Sequence, residues 1–413
     1  MSIARSPEAR TSTPADAPPP LLTRSGVPAA ALWALDPQVV HLNHGSFGAA
    51  PRSTVELRSV LLAEVDANPL RWHLSVQPRR EEARLVVARF LGSDPRSLAF
   101  VPSASAGTTA VLRELSGGEV VVTDHAYGAL AKHVALQAAR VGARVVTARV
   151  PLSATAAEAT AAVLDAIGPE TRLVVLDHVT SATARLMPVE QVSEAARARG
   201  VAVLVDAAHA PGMLEAPAAT TADAWVGNLH KWACGVRGSA VTVLNAATAE
   251  RVRPPIESWS SDAAYPESFD EQGTADSTGY LASAAGITAL EEAIGWDRIR
   301  LYQGELVSYG RDIIAAAFAY ATGEDHRVEV GMPAPSMALV ALPSGLAAQP
   351  ESAAALRQRI ADELGFETQI ADWGGVARLR LSAHAYSTSQ DFDRFAETVV
   401  PALVQWSRSA SKR

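Results

Sequence analysis

The sequence predicts an α/β protein: a mostly parallel central sheet with helices on both faces, plus a smaller α+β C-terminal domain. Two observations carry this. Between Glu119 and Asp206, short apolar runs (EVVVT, RVVTARV, RLVVLDHV, VAVLVD) alternate with helical stretches beginning at Tyr127, Thr155 and Val189. Strands that are apolar throughout are buried on both faces, and strands separated by helices join in parallel. Beyond residue 300 the pattern changes: strand SMALVALP, a helix from Glu351, strands near Phe366 and Ala377, and a final helix from Asp391 to Ser407. No repeat at a solenoid period is present.

Composition sets the bounds. A chain of 413 residues, 48% hydrophobic and 19% charged, can bury a large core and divide into two domains. The net charge of −8, without a Lys/Arg cluster, argues against a nucleic-acid surface. The single cysteine, Cys234, excludes a disulfide framework and a Cys-rich metal site, so no metal is expected and a cytoplasmic location fits. No apolar run approaches the roughly 20 residues that span a bilayer, so no membrane partner is expected. Residues 1–26 lack the apolar core of a signal peptide, and their Pro, Ala, Ser and Thr predict a disordered tail.

Each element then follows in order. HLNHGSFGAAP (His41 to Pro51) is a polar, Gly-containing loop that either lines a site or makes a structural turn. Thr54 to Asp66 and Val76 to Leu91 have helical spacing, and in the connecting NPLRWHLS, Arg71 is either a solvated charge or an anion contact. Leu98 to Pro102 reads as a strand leading into SASAGTTAVLREL. A strand, a Ser/Gly/Thr turn and a helix start make an anion cradle, because free N–H groups and the helix dipole converge there; the same residues also serve as ordinary N-caps. The later strands end near His125, Tyr127, His178, Thr180, Ser181, Asp206 and His209. Open α/β sheets place ligands at the carboxyl ends of their strands, so these residues are site candidates. EQGTADSTGY (Glu271 to Tyr280) is a polar loop before an Ala-rich helix from Leu281 to Ile294, and a long helix from Asp297 to Ala321 leads to the second unit.

One stretch carries the chemistry. Asp206 closes the apolar run VAVLVD, and Lys231 follows 25 residues later in GNLHKWACGVRGSA, between His230 and Trp232 and just before the apolar run Ala240 to Leu244. A strand-end carboxylate and a lysine held in a turn suggest a pyridoxal phosphate (PLP) site, where lysine binds the cofactor covalently and aspartate holds the pyridinium proton.

These segments, with FVPSASAGTTAVL, TDHAYGA, LDHVTSATARLMPV, EQGTADST and LRLSAHAYST, resemble the fold-type-I PLP enzymes of the class V aminotransferase superfamily. LNHGSFG and GNLHKW together point to its isopenicillin N epimerase-like branch. The resemblance implies a large PLP-binding domain over residues 56–300, a small domain over 301–413, and a segment 27–55 that joins the small domain and lines the site. It implies that Lys231, Asp206 and His125 are catalytic, with His125 stacked on the cofactor ring and His209 beside the ring hydroxyl. Ser105, with the Ala104 and Ala106 backbone, and His230 would take the phosphate, and Ser181 would join the cofactor set. Thr274 would reach the phosphate of the other subunit, which implies a homodimer with a shared active site. Arg380 would bind the substrate carboxylate, with Asn43, His44 and Tyr127 beside the substrate. The chain departs from the branch at Ser103, Ser105, Ala106, Ala275 and Ser387. Residues 361–379 hold no cysteine, so the loop nucleophile of a cysteine desulfurase is missing. The expected activity is formation of a carbanion at Cα of an amino acid or amino-acid-derived metabolite. Its fate is epimerisation first, with β-elimination (C–S lyase chemistry), transamination and a non-enzymatic binding role as the alternatives.

Overall fold

The computed structural model describes residues 16–347 and 350–410. A short strand β1 (Val40–His41) precedes two helices, α1 (Arg52–Ala67) and α2 (Pro69–Leu91). Then β2 (Leu98–Val101), α3 (Ala104–Leu112), β3 (Glu119–Thr123), α4 (Gly128–Val141), β4 (Arg144–Ala148), α5 (Ala156–Asp165), β5 (Thr171–Asp177), α6 (Val189–Arg197) and β6 (Ala202–Asp206) alternate as the sequence predicts. They are followed by β7 (Ala224–Asn228), β8 (Ala240–Leu244), the single turn α7 (Ala246–Ala249), α8 (Thr278–Ala293) and α9 (Trp296–Thr322).

These strands form one sheet in the order β2-β8-β7-β6-β5-β3-β4. The five from β7 to β4 are parallel, whereas β8 runs antiparallel to both β7 and β2. Two reversals restore direction, so β2 points the same way as the parallel strands. The carboxyl ends of β2, β3, β5, β6 and β7 therefore meet along one edge. Successive side chains leave opposite faces of a strand, and the core divides accordingly. Val121, Val174, Leu176, Val203, Val205 and Trp225 pack on one face, while Val120, Val122, Val175, Leu204 and Val226 pack on the other.

The C-terminal part holds β9 (Met337–Ala341), α10 (Pro350–Leu364), β10 (Phe366–Glu367), β11 (Gln369–Trp373), β12 (Val376–Ser382) and α11 (Ser389–Ala410). Strands β11-β12-β9 make an antiparallel sheet, and β1 pairs in parallel with β10. The N-terminal segment is thereby stitched to the C-terminal part: Leu42 N–H donates to Glu367 O at 2.9 Å, and Leu42 O accepts from Ser382 N–H at 3.0 Å.

Two expectations change. Helix α2 begins at Pro69 rather than Val76, because the Asn68 side chain caps it by accepting from Arg71 N–H and Pro69 occupies its first turn. Of the stretch expected to be a disordered tail, residues 1–15 lie outside the described residues, but 16–26 pack on the body. Leu21 is buried, Arg24 N–H donates to Ala293 O at 2.8 Å, and Arg298 donates to Leu22 O at 3.0 Å. Among the described residues no helix is long and apolar enough to cross a membrane.

Candidate active site

The edge where the strands end opens into a cavity of about 390 Å³. Each neighbouring strand end contributes to its wall: Ser103 and Ser105 after β2, Tyr127 after β3, Asp177 and Ser181 at β5, Asp206 and His209 at β6, and Asn228, His230 and Lys231 at β7.

Lys231 Nζ lies 3.2 Å from His209 Nε2, and Trp232 Nε1–H donates to His209 Nδ1 at 3.2 Å. Burial, followed by the Lys231 and Arg380 charges, holds His209 well below the usual imidazole range, so the ring is neutral. With Nδ1 accepting, its proton sits on Nε2 and faces the lysine, an arrangement that favours the free amine over the ammonium. Burial independently lowers Lys231 from 10.5 to about 8, with Asp206 and Asp177 opposing and Arg380 assisting. Both observations describe an amine ready to act as a base or nucleophile near neutral pH.

Asp206 Oδ1 accepts Ala208 N–H at 3.0 Å. Asp177 faces the same cavity from the end of β5, its Oδ1 accepting Tyr127 N–H at 3.3 Å. Sequence reasoning passed over Asp177, although its position at the end of RLVVLD is the same signal that picked out Asp206.

At the other end of the cavity, helix α3 presents its N-terminus. Ser103 caps it by accepting Ala106 N–H at 3.2 Å, and Asn228 Oδ1 accepts Ala104 N–H at 2.9 Å. The two backbone donors expected for phosphate are thus engaged within the protein, which leaves Ser105 at the mouth of the cradle. His230 Nδ1–H donates to Ser239 O at 2.9 Å, so its Nε2 can donate to an anion only as imidazolium.

Arg380 on β12 is fully buried without a carboxylate partner. It donates to Ser181 O at 2.7 Å, Ser181 Oγ at 3.1 Å, Asn43 Oδ1 at 3.2 Å and Ser46 Oγ at 2.7 Å, and its Nε has no partner. Burial lowers it to about 10, which leaves it cationic at neutral pH. A buried cation solvated only by neutral oxygens is set up for an anionic ligand. Ser46, which sequence reasoning did not single out, lines the cavity and holds the guanidinium.

Four expected site residues stand elsewhere. His125 is sealed behind the wall: Nε2–H donates to Val150 O and Nδ1 accepts from Thr183, both at 2.7 Å, and its face is stacked on Trp373 at 4.6 Å. With one face on Trp373 and both nitrogens engaged, the ring is buried and does not line the cavity, whereas Tyr127 does. His44 is equally enclosed, donating from Nε2 to Lys231 O at 3.0 Å and accepting from Tyr386 OH at 2.8 Å. It supports the lysine's backbone instead of facing substrate. Its stack with His384 at 4.0 Å, beside Cys234, is a packed cluster whose His44 nitrogens are already used. Asn43 borders a larger groove of about 1020 Å³ and reaches the site through Arg380. Thr274 is exposed in the loop before α8 and does not line the lysine cavity.

The lysine, the strand-end carboxylates and the helix N-terminus fit PLP in donor set. The cavity also has the volume of a small-ligand pocket. The class-V aminotransferase profile matches residues 62–395, and the chain belongs to this family of PLP-dependent enzymes. Within it, the chain is 31% identical over 389 residues to isopenicillin N epimerase of Streptomyces clavuligerus, covering 88% of this chain and 95% of that one. The isopenicillin N epimerase of Amycolatopsis lactamdurans is 29% identical over 392 residues, with the same coverage. A structure of a variant of C-DES, a cystine C–S lyase, with glycine covalently linked to its PLP cofactor, superposes with a TM-score of 0.75. It is 19% identical, covers 89% of this chain and 96% of that one, and shares the fold.

Proposed function

We propose that this enzyme binds PLP at Lys231 and removes the Cα proton of an amino acid or amino-acid-derived metabolite. The proton is then returned with inversion, as in an epimerase of the isopenicillin N epimerase kind. The observation that carries the reading is the arrangement of two proton carriers about one cavity. Lys231 enters from the end of β7 and Tyr127 from the end of β3, with β6 and β5 between them.

PLP, when bound, supplies an electron sink for the charge left at Cα. Asp206, ionised, holds the ring-nitrogen proton by its charge. Ser105 at the start of α3, assisted by His230, takes the phosphate, where the helix N-terminus favours an anion. Arg380 orients the substrate through its carboxylate, replacing the neutral oxygens of Ser46 and Asn43. Lys231 takes the proton on one side of the bound substrate. His125 is sealed, and of the His41 to Phe47 loop Ser46 is the residue on the cavity, so of the candidates named from the sequence Tyr127 takes the role of second proton carrier. The reading includes a homodimer, supported by the exposure of Thr274 and of Phe47 at the rim of the larger groove, and a cytoplasmic location, which fits the single cysteine.

Incubating holoenzyme with candidate amino acids in deuterated water tests this. Inversion with Cα deuterium is the expected result; release of pyruvate and a sulfur product, or of a keto acid, selects elimination or transamination instead. Tyr127→Phe is expected to keep one-sided Cα exchange while inversion falls by about 100-fold or more, the usual contribution of a positioned acid. Equal loss of both would remove Tyr127 from the role.

A further inference from the structure

Asp177 is a buried carboxyl group at this site that the reading above does not use. Its register partner on the adjacent parallel strand is Asp206, so both side chains leave the same face of the sheet one strand spacing apart. Their exposures are 2% and 5%. Oδ1 of Asp177 has the Tyr127 amide, but Oδ2 is shut off from solvent and has no hydrogen-bond partner. The groups facing Asp177 are Asp206 from β6, Lys231 from the turn after β7 and the Tyr127 amide at the start of α4. Its ion-pair balance is poor, since the Lys231 amine that could offset two anions is itself easily deprotonated. Two ionised carboxylates side by side in a buried place oppose each other strongly.

One proton removes both difficulties, because it converts the orphaned oxygen into a hydroxyl donor and leaves a single charge. Burial and the Asp206 charge push the Asp177 carboxyl well above the carboxylate range. Asp206 is raised too by burial, but its Ala208 N–H and Lys231 act against this. The proton therefore rests on Asp177.

We propose that Asp177 and Asp206 form a carboxyl–carboxylate pair holding one proton, carried by Asp177, which makes Asp177 a positioning residue for the Asp206 charge. The inference rests on the PLP reading, in which Asp206 serves the ring nitrogen. A hydrogen bond received from Asp177 keeps Asp206 ionised and weakens it as a base. The pair then presents one negative charge to the cofactor, and the ring nitrogen keeps its proton.

The test begins with wild-type protein and PLP: a visible band fixed on Lys231 by borohydride establishes the cofactor, and its absence sinks the PLP reading itself. The infrared spectrum of the folded protein at neutral pH is expected to contain a carboxylic-acid C=O band that shifts in deuterated water and vanishes in Asp177→Asn. If that variant does not fold, Asp177→Glu, which should move the band without removing it, makes the assignment. In reconstitution of apo protein, Asp177→Asn is expected to bind PLP within about fivefold of wild type, the size of one neutral hydrogen bond. Asp206→Asn should lose about 100-fold or more, because an ion partner is removed. No acid band in wild type, a band unchanged in both Asp177 variants, or equal loss of PLP in Asp177→Asn and Asp206→Asn would overturn the proposal.

Discussion

Lys231→Ala is expected to lower Cα exchange by ~10,000-fold or more, since one residue supplies both the covalent hold on PLP and the base. The side chain has no carboxylate in contact, and its one side-chain hydrogen bond goes to His209. Little of the fold depends on it. The stability of the apo protein should carry the opposite signature. Lys231 is lowered from 10.5 to about 8 by burial, so across that window the unfolded chain holds a proton that the folded chain has lost. Stability contributed by this group therefore rises with pH between about 8 and 10.5 and is flat below. Denaturant titrations of apo wild type and Lys231→Met on both sides of the window should show this slope only in the wild type. Exchange that persists in Lys231→Ala, or equal slopes, would count against the assignment.

Arg380→Leu is expected to reduce kcat/KM by about a thousandfold, because a buried, bidentate-capable cation is lost from the carboxylate site. The PLP band of the variant should be unchanged, since the contacts of Arg380 run to Ser181, Asn43 and Ser46 and not to Asp206 or Lys231. Arg380→Lys should not restore the loss: an ammonium cannot reproduce the planar fork that now engages two flanking segments at once. Steady-state kinetics beside the absorbance spectrum separates the outcomes. Loss of the PLP band along with turnover would place Arg380 in cofactor binding or folding instead.

Legibility followed the range of the forces involved. The parallel sheet could be read because fully buried strands leave continuous apolar runs, and the Asp206–Lys231 site because strand ends in such a sheet are ligand positions. For His125 a motif reports a place in the chain, whereas its surroundings depend on the packing of Trp373, about 250 residues away, on one face of its ring. Asp177 was overlooked because a lone strand-end aspartate reads as an ordinary turn residue; its meaning comes from lying in register with Asp206 across the sheet. The engaged state of the Ala104 amide depends on Asn228, again a partner distant in sequence. Helix α2 was different, since Asn68 and Pro69 are a local start signal that was open to reading.

The strap formed by residues 40–48 bears on how the enzyme is made. His44 joins the Lys231 carbonyl to Tyr386, and Gly48 lies so close to the lysine turn that a Cβ there would stand 2.5 Å from His230 O and 2.6 Å from Lys231 O. The strap's own bonding partners, Glu367, Ser382 and Tyr386, follow it in the sequence by more than 300 residues. The parallel sheet can form early, from neighbouring segments, but the lysine cannot be seated until the strap and these distant partners have met. Competence to take up the cofactor should accordingly appear late in folding, as a single event coupled to that long-range closure.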